Sequence, residues 1–276
     1  MLRETLNIKN AGSLEYARAV FYGHEYSDSL PIEKRPVVVI VPGGGYEHTS
    51  VREGEIVAMQ FLSFGYHAAV LNYSCAPARY PVALLELAAL IRLLREKAAE
   101  WHIDTDRIIT LGFSAGGHLV GCLSSFWREK QLCEEINCDS RMIRPDGQIL
   151  CYPVITSGPA GHQGSFMNLL GDDYSTKKGD LSLEKHINDG VPRSFVWHTF
   201  EDRSVPVQNS LLYVSALADA GIPVEYHLYE HGAHGASTGR WISAKEPKQL
   251  VPEIDSWVGL AHSWIERSIE MSRRII

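Results

Sequence analysis

The stretch Arg107-Ile-Ile-Thr-Leu-Gly-Phe-Ser-Ala-Gly-Gly-His118 decides the fold. Its first half is a β-branched apolar run that reads as a strand over 107–112, and its second half opens a helical segment over about 115–128. Between them Gly112-Phe-Ser-Ala-Gly116 matches G-x-S-x-G, the pattern of a sharp strand-to-helix turn that lifts a serine hydroxyl above a sheet edge. Small neighbours suit such a turn, because the serine backbone is strained and the flanking residues approach closely. Ser114 also stands at the positive end of the following helix, where the amide of Ala115 would face an oxyanion. The pattern alone is weak, since chance gives roughly 0.2 matches in a chain of this composition. A second match, Gly235-Ala-Ser-Thr-Gly239, follows a strand only through a loop and leads into no immediate helix, so Ser237 is expected to be an ordinary loop serine.

Outward from this turn the same unit repeats. Val37-Val-Val-Ile-Val41 reads as a strand, ends at Gly43-Gly-Gly45 and precedes a helical stretch over about 54–64. His67–Tyr73 is the next strand, and Pro81 opens a helix through Ala99 whose Leu84, Leu87, Ile91 and Leu94 recur at spacings of three and four. Beyond residue 128 come strands at 148–152, 194–199 and 224–229, a helix over about 207–220, and a last helix over about 252–273 with Trp257, Leu260, Trp264 and Ile265 on one face. Strands alternating with long helices pair in parallel through crossovers, which predicts an α/β, doubly wound, mostly parallel sheet with helices on both faces. Strand signals near 5–8 and 17–22 precede the first helix without a crossover and predict an antiparallel start. The stretch of about 156–190, rich in glycine and charge without a sustained period, is expected to be a loop or cap inserted over one sheet end within a single domain spanning 1–276.

Composition narrows the function. The 276 residues are 45% hydrophobic and 21% charged, enough for a sizeable core and too apolar for disorder. A net charge of -7 argues against a nucleic-acid partner, which needs concentrated Lys and Arg. The polar N-terminal decapeptide lacks the apolar run of a signal peptide, so a cytoplasmic location is expected. Apolar runs such as Val82–Leu90 contain Glu86 and fall short of the roughly 18 residues a membrane span needs. Cys75, Cys122, Cys133, Cys138 and Cys151 show neither zinc nor disulfide-framework spacing and are expected to be free thiols. No metal or cofactor is expected.

A serine hydroxyl becomes a nucleophile when a base takes its proton, and an imidazole oriented by a carboxylate suits that task. Where Ser114 sits on such a turn, acid and histidine follow in that order in loops after the late strands. Glu201 and Asp202 follow the strand ending at Thr199, and His231 and His234 follow the strand ending at Tyr229. Position alone leaves both pairs open. Gly43-Gly-Gly45 can turn amides toward a substrate as the second half of an oxyanion hole; no Lys-Ser or Lys-Thr follows as a P-loop requires, and His48 breaks the G-x-G-x-x-G spacing.

Pro42-Gly-Gly-Gly-Tyr46, Gly112-Phe-Ser-Ala-Gly-Gly-His118, Trp197-His-Thr199, Glu201-Asp-Arg-Ser-Val-Pro206 and Tyr229-Glu-His-Gly-Ala-His-Gly235 resemble the successive blocks of the α/β-hydrolase esterases, in particular the branch of acetyl esterases and acetylxylan-esterase-like proteins. The resemblance runs in order from about residue 36 to 235. It implies Asp202 as the acid and His234 as the base, with Gly44, Gly45 and Ala115 supplying the oxyanion amides. Many relatives carry His before the three glycines, where this chain has Pro42, so the glycine that faces the oxyanion is left open. Trp197 and His198 are expected to pack the sheet end, and His118 to pack or hydrogen-bond behind the elbow. The implied activity is metal-independent hydrolysis of short-acyl, above all acetyl, esters, with an acetylated sugar as the small-molecule substrate class. A peptidase of the same fold and a binding protein that has lost catalysis are the competing readings.

Overall fold

Val37-Val-Val-Ile-Val41 is wholly buried, and its side chains alternate between two apolar clusters, with Val37, Val39 and Val41 in one and Val38 and Ile40 in the other. A strand flanked by apolar cores on both faces belongs to the middle layer of an α/β structure. The computed structural model describes residues 1–30 and 32–274. In chain order its elements are β1 (Leu2–Leu6), β2 (Arg18–Gly23), β3 (Arg35–Val41), α1 (Glu55–Ser63), β4 (His67–Asn72), α2 (Val82–Glu96), α3 (Ala98–Trp101), β5 (Ile103–Phe113), α4 (Ala115–Phe126), α5 (Lys130–Ile136), β6 (Gly147–Cys151), α6 (Gln163–Leu170), α7 (Tyr174–Lys177), β7 (Ser194–Thr199), α8 (Gln208–Asp219), β8 (Val224–Tyr229) and α9 (Ser256–Arg274).

The strands form one sheet in the order β1-β2-β4-β3-β5-β6-β7-β8. β1 pairs antiparallel with β2 and β2 with β4, the antiparallel start that the missing crossover predicts, and every later pairing is parallel. Helices cover both faces: Val57, Phe61, Trp257, Trp264 and Ile265 from α1 and α9 join the cluster of Val38, whereas Leu84, Leu87, Ile91, Leu94, Leu119, Leu123, Tyr213 and Leu217 from α2, α4 and α8 join that of Val37. Among the described residues no helix is long and apolar enough to cross a membrane. All five cysteines are free.

Several boundaries differ from the sequence reading. β5 begins at Ile103, four residues early, because Ile103 pairs with Arg35 across a register shift that the polar run Asp104-Thr-Asp106 conceals. The helix expected through Ala99 ends at Glu96 and restarts as α3, and residues 252–255 form a 3-10 turn ahead of α9. The segment 156–190 is not a plain loop. It carries α6 and α7, and α6 buries Phe166, Leu169 and Leu170, a spacing of three and one that fits a single helix face too short to stand out as a period.

Because β3 through β8 run parallel, the loops leaving β3, β5, β6, β7 and β8 emerge at one edge of the sheet. That edge, outside the carboxyl ends of the strands, is where open α/β sheets place their ligand crevice.

Candidate active site

Ser114 continues the ladder of β5 through its amide, which donates to Cys151 at 3.0 Å, and then its backbone turns to φ 51° and ψ -118° as the N-cap of α4. A positive φ in a residue with a side chain costs roughly 1–3 kcal/mol and persists only where the surroundings impose it. They do so here: a methyl group on Gly116 would collide with the carbonyls of Val41 and Pro42, so only glycine lets the elbow press against the end of β3. Ser114 as a whole is 7% exposed, and its hydroxyl lies at the amino end of a twelve-residue helix.

His234, in the loop after β8, meets this hydroxyl with its Nε2 2.8 Å from Ser114 Oγ. Its Nδ1 lies 2.6 Å from Asp202 Oδ2, which follows β7. Asp202 is buried, and its other oxygen accepts the amides of Ser204 and Val205 at 3.0 and 2.9 Å. Burial raises the carboxyl pKa, but hydrogen bonds from His198 and His234 outweigh it and hold Asp202 well below the usual carboxylate range. An ionised Asp202 fixes the proton of His234 on Nδ1 and leaves Nε2 as an acceptor for the serine proton.

The rival residues stand apart from this chain. His231 and Glu201 are exposed and face each other at 3.3 Å, and that pairing raises the His231 pKa. Ser237 is buried, donates to the carbonyl of Arg52 at 2.8 Å and accepts from the Trp257 indole through its own carbonyl at 2.9 Å, all structural contacts. His118 lies behind the elbow, accepting from Tyr46 and bonding to the carbonyl of Leu181, each at 2.9 Å, and burial pushes its pKa down to about 4. Trp197 packs edge-on against Tyr152 and stacked on Trp257.

The glycine loop beside Ser114 is fixed from both ends. The Gly43 amide donates to Glu53 at 2.8 Å, and the Gly45 carbonyl accepts from Asn168 of α6 at 2.9 Å. Gly44 adopts φ 130°, a region in which side chains are strained. Among the described residues the amides of Gly44, Gly45 and Ala115 donate to no protein acceptor.

Four supporting residues escape sequence reasoning. Glu53, 3% exposed, accepts from the Gly43 amide with one oxygen and from Tyr152 Oη at 2.6 Å with the other. Tyr152 in turn accepts the amide of Ser237 at 3.0 Å and sets its ring edge-on, 5.1 Å from that of His234. Arg52 bonds the carbonyls of Gly235 and Ser243, bracing the His234 loop. His198, read as packing alone, donates to the Val205 carbonyl at 2.9 Å and sits 3.3 Å from Asp202, so it also steadies that carboxylate. Glu53, Tyr152 and Arg52 carry no local motif; only an acidic residue shortly after a glycine cluster hints at Glu53. A cleft of about 770 Å³ borders Asp202 and His234 between Phe200, Arg203, His231 and Lys248, but Ser114 and the glycine loop do not line it, so it lies beside them. No cluster of side chains able to hold a metal occurs among the described residues.

Residues 26–149 match the family described as BD-FAE, and residues 173–251 match the prolyl oligopeptidase family. An acetyl ester-xyloside bifunctional hydrolase from Caldicellulosiruptor lactoaceticus superposes with a TM-score of 0.80 at 32% identity, covering 96% of each chain. The chain belongs to the α/β-hydrolase esterases. A second α/β-hydrolase esterase, a carboxylesterase from Lactobacillus plantarum, superposes with a TM-score of 0.83 at 28% identity over 97% of this chain and 98% of that one. Among curated relatives, the endo-1,4-beta-xylanase B of Butyrivibrio fibrisolvens is 36% identical over 73% of this chain, and the acetylxylan esterase of Xylanibacter ruminicola is 29% identical over 80% of it. The chain spans 32% and 45% of the lengths of those two relatives.

Proposed function

We propose that the protein is a serine carboxylic-ester hydrolase in which Ser114 is the nucleophile, His234 the base and Asp202 the residue that orients it. The observation that carries this reading is the unbroken chain from Ser114 Oγ to His234 Nε2 at 2.8 Å and from His234 Nδ1 to Asp202 at 2.6 Å, set at the carboxyl edge of the sheet. His234 takes the Ser114 proton as Oγ attacks the acyl carbon. The carbonyl oxygen, now an oxyanion, is held by the Ala115 amide and by the unengaged amides of Gly44 and Gly45. His234 then returns the proton to the departing alcohol, which leaves an acyl-Ser114. A water that gives its proton to His234 attacks this ester, and Ser114 is regenerated with release of the acid.

The substrate class we assign is a short-acyl ester, acetyl above all, of a sugar-like alcohol. α6, which grips the glycine loop through Asn168, turns Phe166, Leu169 and Leu170 into the core, and this supports a short acyl group. The alcohol is suggested by the relatives, one named an acetylxylan esterase and another an acetyl ester-xyloside hydrolase. The prolyl oligopeptidase match over 173–251, which contains Asp202 and His234, favours a peptidase as the second reading. Labelling with a fluorophosphonate probe, followed by identification of the modified peptide, tests the nucleophile, and adduct anywhere but Ser114 refutes it. Acetate release from acetylated xylose, set beside cleavage of a peptide anilide, separates the two substrate readings. Anilide cleavage without acetate release would replace the esterase by the peptidase.

A further inference from the structure

His162 stands at the amino end of α6, a helix of eight residues, and faces the glycine loop: a side-chain carbon on Gly45 would lie 3.9 Å from His162 Cε1. The same helix grips that loop through Asn168, which donates to the Gly45 carbonyl at 2.9 Å. His162 also lies within electrostatic reach of Asp202 and of His234, the residue read above as returning a proton to the departing alcohol.

Its tautomer follows from its partners. Nδ1 accepts the Ser165 amide at 3.2 Å and lies 2.8 Å from Ser165 Oγ. An amide can only donate, so Nδ1 carries no proton and the neutral ring holds its proton on Nε2. Burial, and then the neighbouring His234, lower the pKa of His162, which keeps the ring neutral. Nε2–H has no protein acceptor among the described residues and is not among their sealed polar atoms. Capping alone gives no reason for an imidazole here, since Asn and Ser cap a helix better.

We propose that His162 is a specificity-determining residue whose Nε2–H donates a hydrogen bond to an oxygen of the substrate's alcohol part, favouring esters of hydroxylated alcohols such as sugars and glycerol over aryl esters. The proposal rests on the reading of Ser114 as the nucleophile of an esterase.

Two substitutions separate this role from capping. His162→Asn keeps an acceptor where Nδ1 stands and removes the donor at Nε2; His162→Gln places an amide N–H near Nε2 and gives up the cap. kcat/KM is measured for mono-acetylated methyl xyloside, glyceryl monoacetate and p-nitrophenyl acetate, together with Tm and fluorophosphonate labelling. The ratio of hydroxylated-alcohol to aryl ester is expected to fall about tenfold in His162→Asn at unchanged Tm, the worth of one neutral hydrogen bond, and to stay within about threefold of wild type in His162→Gln. An unchanged ratio in His162→Asn, or a Gln variant no better than the Asn variant, overturns the proposal. So does a wild-type protein that labels on Ser114 yet hydrolyses neither hydroxylated ester. Failure of wild-type Ser114 to label removes the esterase reading itself, and the proposal with it.

Discussion

Glu53→Gln tests whether the reacting groups are held by the buried network beneath them. Glu53 is 3% exposed, and its two oxygens accept from the Gly43 amide at 2.8 Å and Tyr152 Oη at 2.6 Å. Glutamine has one acceptor oxygen, so it can serve only one of these donors and turns an NH2 group toward the other. Leaving a buried donor unsatisfied costs about 1–3 kcal/mol, which predicts destabilisation of about 2 kcal/mol. Activity should suffer through both arms of the network. Gly43 adjoins the Gly44 and Gly45 amides, and Tyr152 contacts the His234 ring and the Ser237 amide. An oxyanion donor is worth roughly 10²–10³ in kcat and a misplacement of about 1 Å can cost 10²-fold, so kcat for p-nitrophenyl acetate should fall at least about tenfold. KM should stay within about threefold, because the groups affected act on the transition state. Urea unfolding and steady-state kinetics at pH 7 provide the readouts. Loss of stability with kcat unchanged would show that Glu53 is scaffolding alone, and no change in either would refute the network.

Ser114→Ala should lower esterase turnover by several orders of magnitude with the fold intact, whereas Ser237→Ala should cost about 1 kcal/mol of stability and leave kcat within severalfold; a Ser114→Ala enzyme within about tenfold of wild type would end the mechanism. His234→Ala should match Ser114→Ala while His231→Ala, which loses only an exposed pair with Glu201, keeps most activity, and the opposite ranking in the same assay would reverse the assignment. For acyl length, kcat/KM should fall from p-nitrophenyl acetate to butyrate to octanoate, each methylene discriminating by roughly 1–3 kcal/mol at most, and a preference for octanoate would contradict the short-acyl reading. Acid should destabilise the fold: burial lowers the pKa of both His67 and His118 from 6.5 to about 4, so their contribution is complete above pH 6.5 and is lost as the pH falls from there to about 4. Each ring accounts for roughly 3 kcal/mol, and equal urea-unfolding free energies at pH 7 and pH 4 would contradict it.

The sequence by itself determined the strands, the main helices and the sharp turn that carries Ser114, because each of these is written in neighbours along the chain. Val37–Val41 is a continuous apolar run, α2 repeats its leucines at helical spacing, and Ser114 lies between a strand signal and a helix signal. The same locality explains where it fell short. α6 is a single short helix whose buried face spans Phe166 to Leu170, and the start of β5 is polar and gains its strand character from Arg35, far away in the chain. Between Glu201 and Asp202 position after the strand cannot choose, since the two carboxylates are adjacent; the tertiary structure leaves Glu201 at the surface with His231 and buries Asp202 against His198 and His234. Glu53 and Tyr152 are 99 residues apart, and Ser114 and His234 are 120 apart. Such pairs meet only because parallel strands deliver their carboxyl ends to one edge, and there burial and hydrogen-bond geometry, which act through space, decide which side chains share a site.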